Sequence, residues 1–393
     1  MYPHPELNSF LQGYGAHLPK PVLNRGVEKA MCEPTFCGES RSQVMRLASI
    51  QPQCYAPDVD VSRAKCAFGP FALPKLRREL HSDDPLTLRQ AVTTLGDLVY
   101  DPEKSMKASE LHLCDRLNDL LVSDDPYTRE RVAMIYATLA NQAVGRESIT
   151  KNLTTLANLA EGLNDPLAAV RLKIAQVLAV LAQDYCSADQ LCKCDFVKSI
   201  SKKLSKERKD ILLVHLDTLE MLLRQNVKAK AIEGGVFETL TTLLDRKDEQ
   251  ILCKTLRCLS VLCEDIAGKE KANEDDLLCI IRKLLRDERE SVIANAARLA
   301  SFVTITTRGK LRALELKLLP FLLREFALNT RKRRSCDTLL VILKTLTNLA
   351  EAPEGRKTLR ECYVQAISRI DVGESELLAR HKQTLIDVIC WQP

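Results

Sequence analysis

Long apolar runs, aromatic residues and catalytic motifs are all scarce in this sequence of 393 residues, and each shortage excludes something. No run approaches eighteen consecutive apolar residues, so no segment reads as a membrane-crossing helix. The amino terminus shows no basic-then-apolar leader, and the expectation is a soluble chain not exported by the usual route. GxxxxGKS, GxGxxG and GxSxG are absent, which removes the usual phosphate cradles and the strand-to-helix nucleophile. The six histidines, at 4, 17, 81, 112, 215 and 381, show no HExxH or other paired spacing. Cys186, Cys192 and Cys194, with Cys32 and Cys37, do not form the two close pairs of a zinc site. The expectation is therefore no catalytic residues, no cofactor and no metal.

Charge of one sign is missing too. The 57 basic and 52 acidic residues leave a net charge of +5, too balanced to indicate nucleic-acid binding, while an acidic protein surface remains an admissible partner. Fifteen cysteines would suggest a disulfide framework in a short secreted chain, but a chain of this length has core enough without one. Cys253 and Cys279 fall on apolar helical stretches where a thiol packs as a small hydrophobe, so the cysteines read as mostly reduced and intracellular.

What the sequence does have is a period. Residues 73–100, LPKLRRELHSDDPLTLRQAVTTLGDLVY, read as an apolar helix, a charged turn and a second apolar helix. The outline returns at Leu80, Leu121, Leu163, Leu204, Leu244, Leu285 and Phe326, in steps of 41, 42, 41, 40, 41 and 41 residues. A further step reaches Ile367, inside a final helical segment that ends near Trp391. Hydrophobic content of 46% with 5% aromatic residues fits stacked amphipathic helices with aliphatic cores.

Punctuation recurs with the period. Asp84-Pro85, Asp125-Pro126 and Asp165-Pro166 each predict an acceptor at the N-cap and proline at the first helical position. Gly145-Arg146, Gly268-Lys269, Gly309-Lys310 and Gly355-Arg356 follow the longer helices. There a glycine in the left-handed conformation is expected to close the helix, and the basic neighbour to face its negative end. A short helix fits after each glycine, giving three helices per unit. The reading is an all-α, right-handed armadillo- or HEAT-like solenoid of about seven three-helix repeats plus a C-terminal partial repeat, over residues 67–393. Residues 1–66 hold seven of the sixteen prolines and no helical period. They form either a disordered leader or an extended arm that orders along a neighbouring protein.

The EGGVFETL stretch at 233–240 and the third-helix stretches TLTNLA at 345–350 and ATLAN at 137–141 resemble armadillo repeats more than HEAT repeats. More specifically, AFGPFALPKL at 67–76, DLVYDPE at 97–103 and Val144-Gly145-Arg146 resemble the armadillo-repeat radial spoke head proteins. That resemblance implies a non-enzymatic subunit of the axonemal radial spoke in motile cilia and flagella. It would lie in the cytoplasmic cytoskeleton, bind other spoke subunits, and engage neither nucleic acid nor membrane. The rival expectation is a soluble adaptor or transport factor that binds extended peptides in the cytoplasm or nucleus.

In either case the last helix of each unit is the expected binding face. Alignment puts Asp97, Thr138, Val180, Met221, Val261, Phe302 and Asn348 at one position. The polar members Asp97, Thr138 and Asn348 are partner-binding candidates. One asparagine in seven makes no ladder of the kind that import receptors use to grip basic peptides. Arg331, Lys332, Arg333 and Arg334 form the densest charge run and the second candidate, a dock for an acidic surface. Their bland reading is a solvated loop between helices.

Overall fold

The computed structural model describes residue 60 and residues 63–331, 335–373 and 375–392. The chain divides into residues 1–61 and a compact unit of residues 62–393, to which every described helix belongs. The predicted arm therefore falls almost wholly outside the described residues.

Every regular element among the described residues is an α-helix. An opening pair, α1 (Ala72–Glu79) and α2 (Pro85–Leu98), is followed by seven triplets. These are α3 (Pro102–Glu110), α4 (Leu113–Leu121) and α5 (Pro126–Ala140); α6 (Ala143–Lys151), α7 (Leu153–Gly162) and α8 (Ala168–Leu181). Next come α9 (Tyr185–Lys193), α10 (Phe196–Ser201) and α11 (Lys209–Leu223); α12 (Lys228–Glu233), α13 (Val236–Leu243) and α14 (Glu249–Leu262). The last three are α15 (Ile266–Glu274), α16 (Leu277–Leu284) and α17 (Glu290–Val303); α18 (Thr307–Glu315), α19 (Leu318–Arg331) and α20 (Cys336–Glu351); α21 (Pro353–Cys362), α22 (Val364–Arg369) and α23 (Glu376–Cys390). The expected seven three-helix repeats are present. The C-terminal segment, expected to be partial, forms all three of its helices, and among the described residues the first unit shows two.

The periodic leucines explain the stacking. Leu80, Leu121, Leu163, Leu204, Leu244, Leu285, Phe326 and Ile367 are all buried where the second helix of each unit ends. Third helices pack on both neighbours in the row, α2 on α5, α5 on α8, and so on to α20 on α23. They are accordingly apolar around more of their circumference than a surface helix. In α8, Val170, Ile174, Ala175, Val177, Leu178 and Leu181 are all buried. Each repeat thus completes the core of the next.

Two of the three Asp-Pro turns act as expected. Asp84 accepts from the amides of Leu86 and Thr87, and Asp125 from those of Tyr127 and Thr128, with proline at the first helical position. Asp165 does not cap its helix. Helix α8 starts at Ala168 behind Leu167, and the Asp165 carboxylate accepts from the Leu167 amide at 2.8 Å and from Arg129 of the preceding repeat.

The glycine-basic pairs also work differently from the prediction. Gly145, Gly268, Gly309 and Gly355 do not have positive φ and lie inside the first helices, not beyond the third. A Cβ on any of them would collide with the carbonyl oxygen of Leu139, Leu262, Val303 or Leu349 respectively, so glycine is there to let two backbones touch. Three of the four basic neighbours behave as expected, and the fourth, Lys310, pairs instead with the Glu351 carboxylate. Arg146 donates to the Ala140 and Asn141 carbonyls, Lys269 to Glu264, and Arg356 to Ala350 and Glu351, satisfying the open ends of third helices. Left-handed residues stand instead between first and second helices, at His112, Asp195, Gly235, Asp276 and Lys317.

Candidate functional site

The third-helix row gives the solenoid a face on which polar and apolar side chains recur with the repeat. Residues four and seven positions before the aligned set lie on the same helical face. The position four before holds Met134, Gln176, Asp217, Arg257, Arg298 and Lys344, and the position seven before holds Arg131, Lys173, Val214, Lys254, Asn295 and Val341. Cations outnumber anions along this stripe.

Its middle is tied together by ion pairs. Glu220 on α11 is 3% exposed and accepts from Arg224 at 2.9 Å and from Arg257 on α14 at 2.8 Å. Lys254 of α14 pairs with Asp217 of α11 one turn away. A buried carboxylate shared between two guanidiniums fixes the spacing of the two helices. Toward the first repeats, the Arg89 and Arg131 guanidiniums lie 5.4 and 5.3 Å from the centroid of the Tyr127 ring. Tyr127 in turn lies within 3.0 Å of the Thr93 hydroxyl. Toward the C-terminus, Arg298 and Lys344 are exposed and have no carboxylate within ion-pair distance among the described residues.

The three polar candidates fare unequally. Asp97 is exposed on α2 and pairs loosely with Lys65 at 3.5 Å. Thr138 is buried, and its hydroxyl donates back to the Met134 carbonyl at 3.1 Å. Asn348 donates its amide to the Ser301 carbonyl at 2.8 Å and to the Thr304 hydroxyl at 3.3 Å, so it joins α20 to α17 and offers no free amide. Val261, aligned with them, is buried, whereas Met221 is exposed and Phe302 half-buried. Arg331 closes α19; Lys332, Arg333 and Arg334 lie outside the described residues. Among the described residues, Asp97, Thr138 and Asn348 stand on three separate third helices, α2, α5 and α20.

Two functional features went unrecognised in the sequence. The Glu220 hub needs a glutamate one residue off the aligned position, and nothing in the chain order marks it. The arginines at 89, 129 and 171 were legible, because they repeat in steps of 40 and 42 residues. Each reaches a carboxylate thirty-six residues on: Arg89 to Asp125, Arg129 to Asp165 and Arg171 to Glu207, all through two nitrogens.

Reactive groups are muted. Burial pushes the Cys192 thiol up to about 11 and Cys263 up to about 12, and raises Cys258 further, so these thiols stay protonated. Burial lowers the imidazole of His215, which is 1% exposed with its Nδ1 unpartnered, to about 4. Among the described residues no group of three or more His, Cys, Asp or Glu is placed to hold a metal ion, and no helix is long and apolar enough to cross a membrane. The single tryptophan is held at the C-terminal end, with the Arg356 guanidinium 4.7 Å from its ring centroid.

No known protein-family model matches the chain. Among solved structures it is similar to an engineered protein, at 16% identity and a TM-score of 0.70, over 85% of this chain and 83% of that one. It is similar also to a designed armadillo repeat protein in complex with the peptide (KR)4, at 20% identity and a TM-score of 0.53, over 59% of this chain and 99% of that one. Computationally designed armadillo repeat proteins for modular peptide recognition match at 19% identity and a TM-score of 0.54, over 58% of this chain and 99% of theirs. At such identities the likeness concerns the fold, and the fold of this chain is an all-α, armadillo-like solenoid.

Proposed function

We propose that the chain is a non-enzymatic scaffold that binds protein partners along its third-helix row, and that it serves as a structural subunit of the axonemal radial spoke in motile cilia and flagella. The observation that carries the scaffold reading is the stripe of recurring polar and apolar side chains on a face whose helices are locked by Glu220, Asp217 and Asn348. A locked face loses little freedom on docking. Excess cations, with Arg298 and Lys344 exposed, favour an acidic partner surface. The (KR)4 peptide of the designed neighbour is basic, so that mode of recognition does not carry over to a stripe of this sign. With Asn348 engaged and Trp391 held at the chain's end, the adaptor reading for extended basic peptides has less support.

The spoke assignment rests on the resemblance of residues 67–76, 97–103 and 144–146 to the radial spoke head proteins. Fractionation tests it: the protein is expected in purified axonemes of motile cilia and should leave with spoke subunits on extraction. Its absence from such axonemes would end the spoke reading and leave the scaffold reading standing.

A further inference from the structure

The second-helix side carries a different chemistry between the third and fourth complete repeats. Helix α12 has six residues where the other first helices have nine or ten, and α10 also has six. First helices α3, α6 and α9 stack in succession and α12 stacks on α15, whereas α9 packs little on α12, as α15 does on α18 and α18 on α21. A cleft of about 240 Å³ remains, floored by Cys192, Val197, Val227, Ala231 and Val236. Its rim carries both signs: Asp195 and Lys230 pair across it at 2.6 Å, and Lys198 and Glu233 line its wall.

From Lys198 a run of cations leads away from the cleft. Residues 196–209 contain Lys198, Lys202, Lys203, Lys206, Arg208 and Lys209 against the single carboxylate of Glu207. That carboxylate is 5% exposed and held by Arg171 of the preceding repeat, while Arg208 pairs with Asp210 and Lys209 with Asp248, which leaves the lysines before them as the open cations. Phe196, Val197, Ile200 and Ser201 are buried, so the helix turns Lys198 and Lys202 outward, one turn apart. Lys202, Lys203 and Lys206 have no carboxylate within ion-pair distance among the described residues. Arg246 of the next repeat donates to the Ser205 carbonyl at 3.5 Å and extends the ledge.

We propose that this cleft and ledge bind an acidic polypeptide segment bearing one large apolar side chain, which enters the cleft while flanking carboxylates meet Lys198, Lys202 and Lys206. The site is separate from the third-helix stripe. A polypeptide suits it better than other polyanions. No aromatic ring lines the cleft to stack a nucleobase, and no large apolar side chain stands exposed along residues 196–209 to enter a bilayer.

Fluorescence anisotropy on the full chain tests this, with a labelled Glu-rich peptide carrying one central Leu, the same peptide with Gly for Leu, and a Lys-rich peptide carrying the Leu. The Leu-bearing acidic peptide should bind, and bind more weakly as salt rises. The double substitution Lys202→Glu, Lys206→Glu should weaken it by roughly tenfold or more, and Gly for Leu should weaken it as well. Lys357→Glu, at an exposed lysine away from both the ledge and the third-helix row, should leave it unchanged. Indifference to the ledge double variant, equal affinity for the Gly peptide, or tighter binding of single-stranded DNA or phosphatidylserine vesicles would overturn the proposal. The Gly peptide probes the cleft without altering the protein, so the test does not depend on a core variant folding.

Discussion

The first repeats and the later ones are joined by different devices. Between α2 and α11 the junctions are bridged by arginines near the start of third helices, each reaching the turn before the next third helix. Two of these bridges are sheltered: the side chains of Arg129 and Asp165 are 14% and 6% exposed, and those of Arg171 and Glu207 are 19% and 5% exposed. Lys209 at the start of α11 still reaches Asp248 before α14, and from α12 onward bridges from the first helices join in. Lys230 reaches Asp195, Lys271 reaches Glu238, and Arg312 reaches Asp276 at the left-handed junction of the repeat before. These later pairs lie at the surface. Sheltered pairs punish the loss of one partner, because the other is left buried and uncompensated, whereas exposed pairs contribute little. The junctions onto α8 and α11 are therefore held by sheltered pairs at the starts of third helices, whereas in the later part the sheltered pair is Glu220 with Arg257 and the pairs of Lys230 and Arg312 lie open to solvent.

Substitutions can break that contrast. Arg129→Ala should cost roughly 3 to 5 kcal/mol, by stranding Asp165, as read by chemical denaturation. An effect as small as that of a surface substitution would remove the distinction between sheltered and exposed pairs. Leu178→Ala, in the fully buried heart of α8, should cost roughly 2 to 5 kcal/mol through lost transfer energy and a cavity. A thermal melt unchanged by it would mean that the helix is rotated from the phase described.

His215 lies on α11, where the two fastening schemes meet, close to Glu207, Lys203 and Arg171. Burial is the main cause of its depressed imidazole, Glu207 opposes it, and Lys203 and Arg171 reinforce it. Because the folded value is about 4 and the unfolded one about 6.5, the unfolded chain takes up the proton first as pH falls. Stability is thus fully present above pH 6.5 and declines toward pH 4, by roughly 3 kcal/mol. Denaturation curves across that range should show the slope, and His215→Leu should flatten it. At the small end of the scale, Lys230→Ala should leave the melt unchanged, since both members of its pair are well exposed. A clear drop there would show that the later junctions depend on their surface pairs after all.

How much of this was legible in the sequence follows from the range of the interactions. The period and its leucines were legible, because core positions must return whenever the same helix returns. The caps at Asp84 and Asp125 were legible because a cap is a contact across two or three residues. Asp165 was misread for the opposite reason: its decisive partner, Arg129, lies thirty-six residues upstream. The four glycines were visible, but their reason was not. Chain order marks a glycine as special without saying whether φ or a neighbouring backbone demands it, and here the backbone of the preceding helix does. Asn348 reads as a binding residue because it is polar on an expected binding face, and packing gives its amide to Ser301 and Thr304. The cleft beside α12 was invisible, since its lining comes from two stretches, residues 192–198 and 227–236, that only the fold brings together.

The central claim is that the third-helix row is where partner proteins dock within the spoke. Crosslinking mass spectrometry on intact axonemes tests it most directly, because Lys173, Lys254 and Lys344 stand at intervals along that row. The account predicts crosslinks from these lysines to other spoke subunits. Crosslinks confined to lysines away from the row, such as Lys151 and Lys357, would contradict it.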